Sequence, residues 1–212
     1  MTHFADMIDG YRRFRNGGWQ QQRERWNELA EGQSSKVMVI ACSDSRSEPS
    51  QIFDTNPGEI FVVRNVAALV PPFETTPGRH GVSAALEFAV QFLKVEEIVV
   101  MGHGMCGGCH AALHRSMAGA EPGRGGFIAD WIAMLDGASE EIRAQYPDFD
   151  NRDAGRAMEM EAVRVSIANL RTFPCIQEKE NRGTLKLRGA FFAISDGVLH
   201  VMDEASGEFS PA

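Results

Sequence analysis

Three short apolar runs punctuate the chain, at 36–41, 60–63 and 98–101. None alternates with polar residues, the pattern of strands in a parallel sheet covered on both faces. Around them, apolar positions recur at helical spacing. Phe4, Met7, Ile8, Tyr11 and Phe14 define one helical face, Gly17-Gly18 interrupts it, and Trp19, Gln22, Trp26 and Leu29 carry it on to about residue 30. Pro49 opens a short helix through Phe53. Asn56-Pro57-Gly58 is a turn, and 71–77 is a proline-bounded loop. Residues 81–93 place Val82, Ala85, Leu86, Ala89 and Leu93 on one helical face. Further helices are predicted over 107–117, 127–135, 139–145 and 154–170, with a Gly/Pro loop over 119–126. Strands are predicted over 185–194 and 198–202, and Asp196-Gly197 between them is a hairpin signal. The order predicts an α/β fold: a mainly parallel central β-sheet with flanking helices, an antiparallel edge strand and an N-terminal helical arm. Residues 1–212 are expected to form a single domain, with 1–32 as the arm. The arm's aromatic groups suit packing on their own domain or across a subunit interface.

Composition narrows the class. The chain has 212 residues, of which 43% are hydrophobic, enough for a sizeable core. A formal net charge of −8 argues against a nucleic-acid partner. No run approaches the roughly 20 apolar residues of a membrane span. The N-terminus carries Asp6 and Asp9 and no apolar signal segment, so the expected location is the cytoplasm. Four cysteines in a reducing compartment read as metal ligands or free thiols before disulfides.

Candidate chemistry gathers just past two of the apolar runs. Cys42-Ser43-Asp44-Ser45-Arg46 follows the first, and His103-Gly104-Met105-Cys106 follows the third. In α/β sheets, sites form beyond the carboxyl ends of strands. Two sulfurs, an imidazole and a carboxylate are the donors that suit tetrahedral zinc. A helix starting after Cys106 would favour its thiolate. With Asp44 on the metal, the shell is closed. With Asp44 turned to Arg46, three protein ligands remain and a fourth position is open for water. The bland alternative is two cysteines packed as small hydrophobes beside a core histidine. The second segment also matches weaker patterns. Cys106-Gly107-Gly108-Cys109-His110 fits haem attachment or a redox pair, and Gly102 to Gly107 fits a dinucleotide loop. Each leaves the Cys42–Arg46 segment unused, and the dinucleotide reading puts its acidic partner, Glu121, inside a loop.

At these residues the chain resembles the β-class carbonic anhydrases of the plant-like subgroup. The resemblance spans roughly 33–114, with a weaker echo over 187–199. It rests on Ala41-Cys42-Ser43-Asp44-Ser45-Arg46, on Pro57-Gly58-Glu59-Ile60-Phe61-Val62-Val63-Arg64-Asn65-Val66-Ala67, on Ala85-Leu86-Glu87-Phe88-Ala89-Val90 and on Gly102-His103-Gly104-Met105-Cys106-Gly107-Gly108. It implies one zinc per chain on Cys42, His103 and Cys106, with Asp44 and Arg46 as a catalytic dyad and Asp44 as fourth ligand in a closed state. It implies reversible hydration of carbon dioxide to bicarbonate by zinc-bound hydroxide. Gln33 matches a bicarbonate-binding glutamine, and Phe61, Val66 and Phe88 match the apolar wall of the substrate pocket. It also implies a site at a dimer interface, in a homodimer or tetramer.

Three departures are visible. Gly104 replaces a serine usual after the zinc histidine, and Ala68 stands where asparagine is more frequent. Phe88 stands where plant-type members often carry tyrosine. A bicarbonate-inhibited subtype has a tryptophan where this chain has Val39 and a tyrosine where it has Phe192, so an open site is expected. Two other functions fit the same ligands: hydrolysis of carbon disulfide or carbonyl sulfide, and a zinc-stabilised binding module without turnover.

Overall fold

The computed structural model describes residues 2–212; Met1 of the expected arm lies outside them. In the described residues six strands form one sheet: β1 (Val37–Cys42), β2 (Ile60–Asn65), β3 (Glu97–His103), β4 (Lys186–Ala193), β5 (Val198–Met202) and β6 (Phe209–Pro211). The order across the sheet is β2-β1-β3-β4-β5-β6. The first four are mutually parallel, and β5 and β6 add antiparallel pairs at one edge. The predicted α/β architecture is therefore the observed one.

Among the described residues ten α-helices surround the sheet: α1 (Phe4–Asn16), α2 (Gly18–Gln21), α3 (Arg23–Ala30), α4 (Pro49–Ile52), α5 (Gly81–Glu87), α6 (Gly107–His114), α7 (Gly126–Ile132), α8 (Asp136–Gln145), α9 (Arg152–Leu170) and α10 (Pro174–Asn181). Several bounds differ from expectation. The helix expected over 81–93 is α5 continued by a π-helical turn, Phe88–Leu93. The helix expected to reach 117 stops at His114, because Arg115 turns left-handed at φ 52°. Neither α10 nor β6 was expected. Ile176 is the only buried residue of α10, so that helix has no apolar stripe to announce it.

Side chains alternate between the sheet's faces. One face, with Met38, Ile40, Ile98, Val100 and Leu187, packs with Leu86, Val90, Val163, Ile167, Leu170 and Ile176 into the main core. The other face carries Val39, Ala41, Met101 and Ala190 with Ile52 and Phe53, but its outer members Val37, Ile60, Val62, Val99 and Leu199 are only partly buried. Parallel sheets are normally covered on both sides, so this half-covered face is unusual for a chain standing alone.

The arm is more open still. No residue of α1 is buried, and Phe4, Met7 and Tyr11 are mostly exposed. Phe14 meets Trp26 edge-on at 5.8 Å. Farther along, α3 is tied to the turn before β2: Arg25 donates to the Pro57 carbonyl at 3.2 Å, and Leu29 packs on Gly58. This places α3, and the loop carrying Gln33, at the amino ends of β1 and β2. Among the described residues no helix is long and apolar enough to cross a membrane.

Candidate metal centre

β1 and β3 are adjacent and in register, so Ala41 faces Met101 and the strands end side by side. Cys42 and His103 are the last residues of their strands rather than residues beyond them. After His103 the chain turns through Gly104 and Met105, which is left-handed at φ 57°. Gly104 N–H donates to the Phe192 carbonyl at 3.0 Å, tying this turn to β4. Cys106 follows as the N-cap of α6. Gly108 lets α6 settle on the turn after β2, since a Cβ there would lie 2.8 Å from Val66 Cγ1.

The result is a tripod. Donor atoms of Cys42, His103 and Cys106 all lie within 4.8 Å of one another, and all three residues are buried. The Cys42 and Cys106 sulfurs are 4.0 Å apart. Two thiolates bound tetrahedrally at about 2.3 Å would stand roughly 3.8 Å apart, so the pair is spaced for a shared ion. His103 Nδ1 contacts the Gly104 carbonyl at 2.9 Å, which assigns that nitrogen the proton and leaves Nε2 as a lone-pair donor. Nε2 is buried without a hydrogen-bond partner. An orphaned imidazole nitrogen between two sulfurs fits a soft or borderline metal and fits little else.

Without an ion the thiols stay protonated. The contact with Cys106, then burial, pushes Cys42 up to about 12. The contact with Cys109, joined by burial, pushes Cys106 up to about 12. Burial works to lower His103, but contact with Cys42 and the Gly104 carbonyl outweighs it and the imidazole is raised.

Asp44 is not part of the tripod. Arg46 grips both its oxygens, with Nε donating to Oδ1 at 2.9 Å and Nη2 donating to Oδ2 at 2.7 Å. The Arg46 backbone N–H adds a bond at 2.9 Å. Arg46 Nη2 also donates to the Met105 carbonyl at 3.0 Å, so the dyad is braced against the other ligand segment. These bonds hold the Asp44 carboxyl well below the usual carboxylate range. The arrangement leaves three protein donors with the Asp44 carboxylate held away from them.

Two residues that sequence reasoning left without a role build the scaffold. Arg64 donates to the Cys42 carbonyl at 2.8 Å and the Asp44 carbonyl at 2.6 Å, and pairs with Glu48. Glu159 of α9 accepts the Cys106 N–H at 3.0 Å. An arginine directly after the apolar run of β2 was the only signal for the first, and the second had none.

The four expected pocket residues separate. Val66 lies against α6 beside the tripod. Phe61 pairs with Met38, four residues upstream of the Cys42–Asn65 pair. Four strand residues span about 13 Å. Phe88 sits with Phe61, ring centroids 5.8 Å apart, and Phe92 stacks on Phe88 at 5.7 Å. Gln33 is exposed in the loop before β1. Within one chain, then, Gln33, Phe61 and Phe88 lie toward the end of the sheet opposite the tripod.

Fold and tripod together define an α/β protein with a preformed soft-metal donor set at the carboxyl ends of its central strands. The sequence profile of a family described as carbonic anhydrase matches residues 37–199. Beta carbonic anhydrase 3 of Arabidopsis thaliana is 35% identical over 196 residues, covering 92% of this chain and 74% of that protein. The solved structure of the β-carbonic anhydrase CcaA superposes with a TM-score of 0.90 at 28% identity, covering 99% of this chain and 92% of the other. A structure from a study of two tetrameric β-carbonic anhydrases of the filamentous ascomycete Sordaria macrospora gives a TM-score of 0.78 at 27% identity, covering 98% of each chain. The chain belongs to the β-class carbonic anhydrases, a family of enzymes.

Proposed function

We propose that this chain catalyses the reversible hydration of carbon dioxide to bicarbonate and a proton, with one zinc per chain on Cys42, His103 and Cys106. The observation that carries the reading is the tripod with Asp44 drawn back to Arg46, which keeps a fourth coordination position open. Bound zinc would act as a Lewis acid that acidifies water in that position. Asp44 supplies a fixed hydrogen-bond acceptor at the mouth, able to orient a nucleophile's lone pair toward the substrate carbon. Arg46 keeps that carboxylate from closing the shell. Arg64 holds the loop that carries both.

We further propose that a second copy of the chain completes the pocket with its own Gln33, Phe61 and Phe88. The half-covered sheet face, the exposed α1 and the tetrameric relatives support this reading. In the completed pocket the phenylalanines provide an apolar wall for carbon dioxide, and Gln33 provides an amide for bicarbonate. With Val39 and Phe192 in place of the tryptophan and tyrosine of the bicarbonate-inhibited subtype, no bicarbonate-regulated closed state is expected.

The test is stopped-flow hydration of carbon dioxide on protein of verified metal content, alongside sulfide release from carbon disulfide. One zinc per chain, activity lost to a chelator and restored by zinc, and no sulfide release are expected. Zinc-loaded protein that leaves the hydration rate at background would overturn the reading.

A further inference from the structure

Glu159 is a carboxyl in a costly place. It projects from the middle of α9 and is only 7% exposed. Among the described residues it has no ion-pair partner within the ordinary distance. Arg156 is close enough to favour its charge, but that guanidinium lies over Phe191 at 5.3 Å and contacts His200 at 3.0 Å. The Glu159 side chain accepts the Cys106 N–H at 3.0 Å, and the Met105 N–H is near enough to favour its charge. A buried carboxyl without a cation is unfavourable, and an apolar residue of similar volume would serve the core better.

The backbone is arranged to bring it there. Gly102 has no Cβ, and one added would lie 2.8 Å from Val163 Cγ2 and 3.4 Å from the Glu159 carbonyl oxygen. α9 therefore approaches β3 closely, directly behind the ligand turn. That turn runs through the left-handed Met105 into Cys106, whose sulfur must stand 4.0 Å from that of Cys42. The Cys106 N–H is buried inside it and has no other acceptor within the turn. Groups that hold metal ligands from behind are worth about 10–100-fold in metal affinity.

We propose that Glu159 is a positioning residue for the metal centre: by accepting the Cys106 N–H it fixes the Met105–Cys106 turn, and with it the third ligand. The inference rests on the zinc reading above and needs no change of charge on Glu159, since either form of a carboxyl offers an acceptor oxygen. Glu159→Gln keeps that acceptor. Glu159→Asp keeps the carboxyl but withdraws it from reach. Glu159→Met fills the volume with neither.

Zinc affinity in chelator competition, the thiolate-to-metal absorption of the cobalt-substituted protein, and melting of the metal-free protein separate the possibilities. Glu159→Gln should bind zinc within a few-fold of wild type. Glu159→Asp and Glu159→Met should bind about 10–100-fold more weakly, with a changed cobalt spectrum, and Glu159→Met should do so with a metal-free melting temperature at or above that of wild type. Asp or Met variants that hold zinc like wild type would overturn the inference. So would a loss in Glu159→Met that simply follows a lower metal-free melting temperature, the mark of a general packing role. If Glu159→Met does not fold, the Gln–Asp comparison decides. A wild-type chain that takes up no zinc would instead remove the metal reading, and the inference with it.

Discussion

In the proposed mechanism Asp44 and Arg46 decide whether the centre is closed or open. Both carboxylate oxygens are spent on one guanidinium, so removing the carboxylate should leave the tripod intact. Asp44→Ala is expected to bind zinc normally and to lose about 100-fold or more of its hydration rate; full activity with full metal content would remove Asp44 from the mechanism. Because its folded pKa is depressed, the stabilisation from this pair is present above the ordinary Asp value. It is lost only as pH falls through the lower, folded one. Asp44 is therefore ionised across the neutral range, and a rise in activity between pH 6 and 9 does not report its titration. The thiols behave oppositely. Both are held protonated near neutrality, with values pushed to about 12, so a metal must displace their protons. Zinc uptake by metal-free protein at pH 7.5 should release about two protons per chain, plus a fraction from His103, and affinity should fall as pH falls; calorimetry in buffers of different ionisation enthalpy measures this. The ligand types were legible in the sequence because cysteine, histidine and aspartate at strand ends carry their chemistry in their names. Arg64 and Glu159 were not. One acts on carbonyls, the other on an amide, and backbone groups leave no mark in a list of residues.

The turn that joins β2 to the rest of the site is strained. Ala67 and Ala68 sit consecutively at φ 62° and 55°, a region that costs an L-residue roughly 1–2 kcal/mol. Asparagine tolerates this conformation better than alanine, which gives physical content to the departure at Ala68. Ala68→Gly is expected to stabilise the protein by about 1 kcal/mol, seen as a higher denaturant midpoint with unchanged zinc content; a lower midpoint would mean that the buried Ala68 methyl matters more than its backbone. Ala67 is the poorer target, since its Cβ fills the space that Gly108 leaves open. Other elements differed in how visible they were. β1 and β3 announced themselves as unbroken apolar runs because both of their faces pack. The end of α6 at His114 did not, because Arg115 adopts a left-handed conformation that glycine usually signals. α10 buries one side chain and β6 spans three residues, so neither has room for a periodic pattern.

At the scale of the whole molecule, the sheet puts the tripod at the carboxyl ends of β1 and β3 and puts Gln33 and Phe61 toward the amino ends of β1 and β2. Strand assignment from the sequence fixes which residues share a strand. It is silent on residues that lie about 13 Å apart in one chain and that the proposed reading brings into one pocket between chains. If each pocket takes its metal from one protomer and its wall from another, function becomes a matter of alleles. A Cys106→Ala chain still lends a sound wall, and a Gln33→Ala chain still lends a sound tripod. Co-expressed and paired at random, half the dimers would be mixed, and each mixed dimer would hold one fully intact pocket and one doubly defective one. About a quarter of all pockets should then work, so two crippled alleles should complement each other in the same cell. Activity no higher than the mean of the two variants alone would show that each chain carries its whole pocket. The same geometry predicts that a ligand-dead allele is not dominant: it silences its own centre and leaves its neighbour's in service.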